Sequence, residues 1–236
     1  TGADGLSMLR CLKALGADIK RITSENRLTI TDSIQIDGNG LQSLKESSKV
    51  LNAGNSGATM RQIAGLMSGQ PYFGVITGDK SLRSRPMSRI IEPLKKMGAQ
   101  ISGRSNDSLA PLSIKGGNLT GIEYRMPVAS AQLKSSILIA GLFAEGETRL
   151  IQPLQSRDHT ERMLSMMKAD IEIDGKQIKL NKSTLTPVDV NVPGDFSAAA
   201  YWIVAGCCHP NAKIRITNVG INPTRTGALD ILMDMG

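Results

Sequence analysis

Aromatic residues, cysteine and histidine are all scarce in this 236-residue sequence. Aromatic residues make up 3% of the chain, so no basic segment carries the interleaved Phe or Tyr on which nucleic-acid bases stack. Three cysteines, two of them adjacent at Cys207 and Cys208, fit neither a disulfide framework nor a metal-ligand spacing, and the two histidines add no metal site. We therefore expect buried, reduced thiols, no metal and a cytoplasmic location.

Long apolar runs are also missing. The longest, residues 198–208, is much shorter than the roughly 18 residues that a membrane-spanning helix needs, so we expect a buried helix there and no membrane partner. Positive charge is in excess, with 28 Lys and Arg against 21 Asp and Glu, a net charge of +7. This charge favours anionic partners. Because the aromatic content disfavours nucleic acid, small phosphorylated molecules are the better fit.

Two kinds of predicted helix alternate along the chain and define an internal repeat. Small-residue helices that end in Ala-Gly are each followed, after a strand-like run, by an amphipathic helix. Most amphipathic helices stop at glycine, namely Gly16, Gly98 and Gly236, whereas Lys168 occupies that position in the third. The small-residue helices are predicted at 57–65, 130–141 and 197–206, and the amphipathic helices at 9–17, 90–99, 161–169 and 228–236.

Strand-like runs at 72–77, 147–152 and 213–219 separate the two kinds of helix. Alternating apolar and polar residues at 27–36, 171–174 and 177–180 predict half-exposed strands. Since the small-residue helices are apolar nearly all round, we expect them inside with the sheets outside. The predicted fold class is α/β, in repeats of strand, helix, strand, helix and two further strands. The chain opens and closes partway through a repeat, so we expect it to be a piece of a longer protein.

Polar groups recur at fixed positions in the repeat. Each small-residue helix follows a short polar or glycine-containing turn, and the loops before amphipathic helices carry Arg83 and Arg85, Arg157, and Arg225. A helix N-terminus offers unpaired N–H groups to an anion, and arginine adds a planar fork of donors. Taken singly, such turns are ordinary N-caps and such arginines are solvated side chains. Several such turns with arginine in register also fit one shared anion site, and the pattern alone does not choose between the two interpretations.

Five motifs, in order from about residue 5 to the end of the chain, resemble the 5-enolpyruvylshikimate-3-phosphate (EPSP) synthase family. They read NAGNSGATMR at 52–61, TGDKSLRSRPM at 77–87, PVASAQLKS at 127–135, SRDHTE at 156–161 and NPTRTG at 222–227. The resemblance implies transfer of the enolpyruvyl group of phosphoenolpyruvate to the 5-hydroxyl of shikimate 3-phosphate, with release of phosphate, in aromatic amino-acid biosynthesis. It also implies no metal or organic cofactor, and we expect the full-length protein to be monomeric.

The same resemblance assigns site residues and domains. Residues 1–190 would form most of one domain, and 191–236 the crossover and first part of a second, with the ligands between them. The family's acid–base residues fall outside this sequence, so we expect no catalytic residue here and no turnover by the chain alone. Phosphoenolpyruvate would be bound by Asn55, Gly57, Arg85 and Gln132, and shikimate 3-phosphate by Ser130, Ala131, Gln132, Ser156 and Arg157.

Other interpretations also fit parts of the sequence. A related enolpyruvyl transferase that acts on UDP-N-acetylglucosamine uses a reactive loop cysteine, whereas Cys11, Cys207 and Cys208 lie in or beside predicted helices. A bare anion-binding or interaction domain could share the repeat. Asp158 and His159 could form an acid–base pair, but capping of the following helix is favoured. Some relatives have tyrosine at the position of His159. Some have a second serine at that of Ala131, so a side-chain hydrogen bond there would be absent in this chain.

Overall fold

The structure is a computed structural model that describes residues 2–26, 29–41 and 43–236, with side chains described outside 23–32. Its helices are α1 (Ala3–Ala14), α2 (Gly57–Ser68), α3 (Lys80–Arg83), α4 (Ser88–Lys96), α5 (Arg104–Asp107), α6 (Ala131–Gly141), α7 (His159–Met166), α8 (Phe196–Cys208) and α9 (Gly227–Asp234). Its strands are β1 (Asp18–Asn26), β2 (Thr29–Asp37), β3 (Leu51–Asn52), β4 (Phe73–Thr77), β5 (Gln100–Gly103), β6 (Leu109–Lys115), β7 (Glu123–Arg125), β8 (Thr148–Ile151), β9 (Ile171–Asp174) and β10 (Gln177–Leu180). The predicted strand at 27–36 therefore corresponds to β2, and residues 27 and 28 lie outside the described residues.

Two four-stranded sheets share one plan, which confirms the predicted repeat. Their strand orders are β3-β4-β6-β5 and β7-β8-β10-β9. In each sheet the first pair is parallel and the other pairs are antiparallel. The strands β1 and β2 form a separate antiparallel pair. The short strands β3 and β7 escaped prediction because two or three residues show no alternation.

The helices α2 and α6 lie at the centre of the fold, as their small apolar residues predicted. Most residues of both helices are buried. A Cβ on Gly65 would lie 2.2 Å from the main-chain oxygen of Ser136, so only glycine allows the two helices to approach this closely. The buried apolar core around them draws its residues from Cys11 to Leu180. For α2 and α6, the expected arrangement with helices inside and sheets outside is confirmed.

The ends of the four amphipathic helices correspond in conformation as well as in sequence. Gly16, Gly98 and Gly236 have left-handed φ angles of 88°, 111° and 89°, and Lys168 has φ 58° at the equivalent position. A left-handed conformation costs a residue with a Cβ about 1 kcal/mol, which is why glycine is usual here. Lys168 thus ends its helix in the same left-handed conformation as the three glycines, although its side chain makes that conformation less favourable.

Two expectations for the last 40 or so residues are wrong. Residues 213–219 form no strand, because within the described chain only Val219 finds a partner, through an isolated parallel bridge to Gly194. The helix α8 exists, but only Phe196 and Ala199 are buried on it, and Tyr201 is 81% exposed. Because little of the described chain packs against α8, its residues Cys207 and Cys208 are exposed, contrary to the expected burial. Cys11 is buried as expected. None of the helices in the described residues has the length and apolar character that crossing a bilayer requires.

Candidate anion-binding site

Parallel strand pairing explains why the predicted polar loops lie side by side. Parallel neighbours end at the same edge of a sheet, so the loops that follow them are adjacent. The pair β3–β4 places the turn before α2 next to the arginine loop at 78–87. The pair β7–β8 does the same for the start of α6 and the loop before α7. The bridge between Gly194 and Val219 repeats the arrangement for α8 and the Arg225 loop.

Asn55 and Arg85, predicted from separate motifs, are in direct contact. Arg85 Nη2 donates to Asn55 Oδ1, and Asn55 Nδ2 donates to Asp79 Oδ2 at 2.7 Å. Asp79 caps α3 by accepting from the backbone N–H of Leu82 at 2.7 Å. This backbone hydrogen bond, together with the one from Asn55, lowers the pKa of Asp79 and keeps it ionised. The chain of contacts fixes the direction in which Arg85 extends.

Gly57, the first residue of α2, lies beneath two guanidinium groups. A Cβ at this position would lie 2.7 Å from Arg61 Nη1 and 3.5 Å from Arg85 Nη1. Burial, and then the charges of Arg85 and Arg89, lower the pKa of Arg61. Positive groups that converge at a helix N-terminus form an electrostatic site for an anion. The missing side chain of Gly57 leaves room for that anion against the backbone.

Gln132 connects this arginine pair to the second predicted site. Arg61 Nη1 donates to Gln132 Oε1 across the α2–α6 interface. Gln132 lies in the first turn of α6, whose N-cap is Ser130. The hydroxyl of Ser130 accepts a weak hydrogen bond from the backbone N–H of Leu133 at 3.4 Å. The first turn of α6 therefore faces both sites.

The second site is an open cavity of about 440 Å³. Its walls come from the start of α6, the loop before α7 and the loop at 222–225. Two of the lining side chains, Arg157 and Arg225, are arginines from different repeats. The lining residues are Ala129, Ser130, Ala131, Gln132, Gln155, Ser156, Arg157, Thr224 and Arg225. All five residues predicted to bind shikimate 3-phosphate are thus found around one cavity.

Asp158 occupies the N-cap position of α7, but its side chain makes no capping hydrogen bond, so the favoured interpretation is wrong. The carboxylate instead accepts from Asn222 Nδ2 at 2.6 Å and from Arg162 Nε at 2.8 Å. Partial burial would raise the pKa of Asp158, but these hydrogen bonds from Asn222 and Arg162 outweigh it and lower the pKa. His159 is exposed and lines a small neighbouring cavity of about 150 Å³ with Gln132 and Arg157.

Three described carboxylates near the site already have partners. Asp79 and Asp158 are engaged as above, and Glu161 is paired with Lys134. Among the described residues there is also no group of three or more His, Cys, Asp or Glu placed to hold a metal ion. Burial raises the pKa of Cys11 to about 11, which disfavours the reactive thiolate that a cysteine-dependent transferase needs. The arrangement can bind and orient anions.

Arg61 is the site residue that sequence reasoning missed. It lies four residues after Gly57, hence on the same face of α2, and this spacing could have revealed it. The lining residue Thr224 was also missed, although its motif and the adjacent Arg225 were identified.

The fold and the site together define a class of protein: an α/β repeat protein whose loops assemble arginines and helix N-termini around small anions. The family model described as EPSP synthase (3-phosphoshikimate 1-carboxyvinyltransferase) matches residues 1–236, and the chain belongs to this family. The predicted resemblance is confirmed.

Individual relatives agree with the family assignment. The 3-phosphoshikimate 1-carboxyvinyltransferases of Desulforudis audaxviator (strain MP104C) and Bacillus subtilis (strain 168) are 48% and 45% identical to the chain over 236 residues. A solved structure of EPSP synthase from Acinetobacter baumannii has a TM-score of 0.86 and 42% sequence identity, covering 100% of this chain and 52% of that one. The two sequence relatives are likewise covered over 53% of their length and match 100% of this chain. The chain spans about half the length of the relatives it matches.

Proposed function

We propose that the protein to which this chain belongs transfers the enolpyruvyl group of phosphoenolpyruvate to the 5-hydroxyl of shikimate 3-phosphate. Its relatives carry the name of this activity. The observation that carries the proposal is the convergence of Arg61 and Arg85 over Gly57, joined through Gln132 to a second arginine-lined cavity. Two adjacent anion sites suit a reaction between two phosphorylated substrates.

The first site is proposed to bind phosphoenolpyruvate. Arg61 and Arg85 offer planar forks that match a carboxylate or phosphate, and Asn55 fixes one of them. The carboxylate or phosphate would contact the backbone at Gly57, at the positive end of the α2 dipole. Gln132 would contact both ligands.

The second site is proposed to bind shikimate 3-phosphate. Ser130 and Ala131 present the N-terminus of α6, while Ser156 and Arg157 approach from the loop before α7. Arg157 supplies a charge-assisted donor to the phosphate. The two substrates would then lie side by side, with the 5-hydroxyl of shikimate 3-phosphate near C2 of phosphoenolpyruvate.

In the proposed reaction, the 5-hydroxyl oxygen adds to C2 of phosphoenolpyruvate while C3 takes a proton. Loss of phosphate and of a proton from C3 then restores the double bond. The described side chains supply positive charge and orientation for these steps. Because Asp79, Asp158 and Glu161 each already have a partner, we propose that the chain alone binds substrate weakly and performs no turnover.

Titration calorimetry on the purified chain tests the proposal. Shikimate 3-phosphate should bind more tightly than inorganic phosphate, because only the former can contact the start of α6 and the phosphate loop together. Equal affinities would favour a bare anion-binding domain, and affinity for nucleic acid that falls steeply with salt would favour a nucleic-acid binder. Turnover by the purified chain, free of any complementing piece, would contradict the proposal that it only binds.

Further features are proposed on the same basis. The buried apolar core extends from Cys11 to Leu180, which supports residues 1–190 as most of one domain and 191–236 as the crossover and first part of a second. We also propose that the full-length protein is a cytoplasmic monomer that uses no metal or organic cofactor. Gel filtration of the full-length protein and assay after exhaustive chelation would test the last two points.

A further inference from the structure

A buried ion pair lies directly behind the predicted phosphate loop. Lys134 in α6 is fully buried, and its Nζ lies 2.5 Å from Oε1 of Glu161, a residue of α7 that is 3% exposed. The other carboxylate oxygen, Glu161 Oε2, is buried and has no hydrogen-bond partner. Burying two charges costs about as much as their attraction returns, and the unsatisfied oxygen adds to that cost. Stability alone therefore does not account for this pair.

The ion pair is connected to the loop through Gln152, a buried residue just after β8. Gln152 Oε1 accepts from Lys134 Nζ at 3.1 Å, from Ser156 Oγ at 2.8 Å and from Ser156 N at 3.3 Å. Lys134 Nζ also donates to the main-chain oxygen of Ser156 at 3.4 Å. The backbone N–H, the backbone carbonyl and the hydroxyl of Ser156 are all held by these two side chains.

The loop itself depends on these contacts for its shape. Residues 152–158 adopt neither helix nor strand. Ser156 and the adjacent Arg157 line the second cavity, so the position of Ser156 sets where the Arg157 side chain begins. A displacement of the loop would move both residues relative to the N-terminus of α6 on the opposite wall.

We propose that Lys134 is a positioning residue which, with Glu161 and Gln152, holds the loop of Ser156 and Arg157 at the distance needed to bind the phosphate of the acceptor substrate. Lys134 does not touch the substrate in this proposal. Its ammonium group orients the Gln152 carbonyl and the Ser156 backbone, while Glu161 neutralises its charge. The inference rests on the proposed function in one respect, which is the identity of the ligand as shikimate 3-phosphate.

Two variants of the 236-residue chain test the proposal. Lys134→Met alone would leave Glu161 charged and unpaired in the core and could unfold the chain. The double variant Lys134→Met with Glu161→Leu removes both charges, keeps the net charge and replaces the pair with apolar volume. Gln152→Met removes the carbonyl oxygen that accepts from both Lys134 and Ser156, and it leaves the Lys134–Glu161 ion pair in place. Circular dichroism verifies that each variant is folded.

The matched control is the exposed pair of Lys179 and Glu172, whose Nζ and Oε2 lie 2.7 Å apart on neighbouring strands. Lys179→Met with Glu172→Leu makes the same chemical change away from the loop. Binding of shikimate 3-phosphate and of shikimate, which lacks the phosphate, is measured for all chains. Hydrogen exchange at the Ser156 amide reports the position of the loop without any ligand.

We expect both test variants to bind shikimate 3-phosphate about tenfold more weakly, the size of one lost buried hydrogen bond, with shikimate affinity unchanged. Exchange at the Ser156 amide should become faster, and the control should match the parent chain. Equal losses for both ligands, unchanged affinity or unchanged Ser156 exchange would overturn the positioning role. A parent chain that does not distinguish the two ligands would overturn the proposed function, and the exchange measurement would then decide the positioning role alone.

Discussion

Substituting Gly57 with alanine separates anion binding from folding. The new Cβ would lie 2.7 Å from Arg61 Nη1, whereas ordinary contact begins at 3.4 Å, so the guanidinium must move by about 0.7 Å (3.4 − 2.7). Because the atom in the way is the end of a flexible side chain, the fold can accept this shift. Gly57 has no left-handed φ and opens α2, where alanine is neutral or stabilises by up to about 1 kcal/mol.

Binding should respond very differently. A charge-assisted hydrogen bond spans only about 2.7–2.9 Å between heavy atoms, so a displacement of 0.7 Å at Arg61 removes one such bond to the anion. The loss corresponds to about 1.5–3 kcal/mol, or about tenfold to a hundredfold in affinity for phosphoenolpyruvate. The methyl group also occupies the space that the anion would use. Affinity for shikimate 3-phosphate alone should change much less.

Calorimetry with phosphoenolpyruvate in the presence of shikimate 3-phosphate, paired with urea unfolding, measures both effects. Gly227→Ala is the matched control, because Gly227 also opens a helix and a Cβ there would meet nothing within 4 Å. Unchanged phosphoenolpyruvate affinity in Gly57→Ala would refute the placement of the anion. A large loss of stability would refute the claim that only the arginine end has to move.

Three further predictions concern packing, charge state and donor geometry. Gly65→Ala should lower the free energy of unfolding by about 3 kcal/mol in urea, because its Cβ would lie 2.2 Å from the rigid main-chain oxygen of Ser136. The hydrogen bond from Asn222 lowers the pKa of Asp158 below its ordinary value of 3.8. This contact therefore stabilises the fold fully at pH values above 3.8, and its contribution is lost as the pH falls through the lowered pKa. Asp158→Asn should therefore lower the free energy of unfolding by about 1 kcal/mol at pH 7 and flatten its decline in acid. Arg61→Lys should weaken phosphoenolpyruvate binding about tenfold in calorimetry, since lysine keeps the charge but loses the planar fork.

Each of these has an outcome that counts against it. A Gly65→Ala chain as stable as Gly227→Ala would show that α2 and α6 can separate freely. An acid profile of Asp158→Asn that parallels the parent chain would mean that this carboxylate does not contribute to the pH dependence. For donor geometry the control is Arg89→Lys, since Arg89 is exposed and makes no hydrogen bond that defines the site. Equal losses for Arg61→Lys and Arg89→Lys would indicate a general effect of charge.

Features that repeat along the chain could be predicted from sequence, and features that depend on one pairing could not. The glycine stops and Ala-Gly helices gave the repeat because their residue types reflect local backbone needs. Lys134 illustrates the opposite case. On a helix of small apolar residues it looks like a surface position, yet it is fully buried because Glu161, 27 positions away, supplies its counter-charge.

The candidate site shows the same contrast. Asn55, Gly57 and Arg85 were identified through motifs, but their convergence depends on the two-residue strand β3, which is too short to show a pattern. The wrong prediction of a strand at 213–219 also comes from strand pairing that the sequence does not show. Its apolar alternation predicts a strand, but a strand forms only with a partner, and among the described residues Val219 pairs with Gly194 alone.

An amide chemical-shift titration of the isotope-labelled chain tests most directly whether two adjacent anion sites exist. Shikimate 3-phosphate should shift the amides of Ser130, Ala131, Ser156 and Arg157, and phosphoenolpyruvate added next should shift those of Gly57 and Arg61. Arg10, Lys13 and Lys49 line a separate cavity that shares no residue with either site. Shifts that instead cluster on these three residues, or that are identical for inorganic phosphate, would contradict the proposed sites.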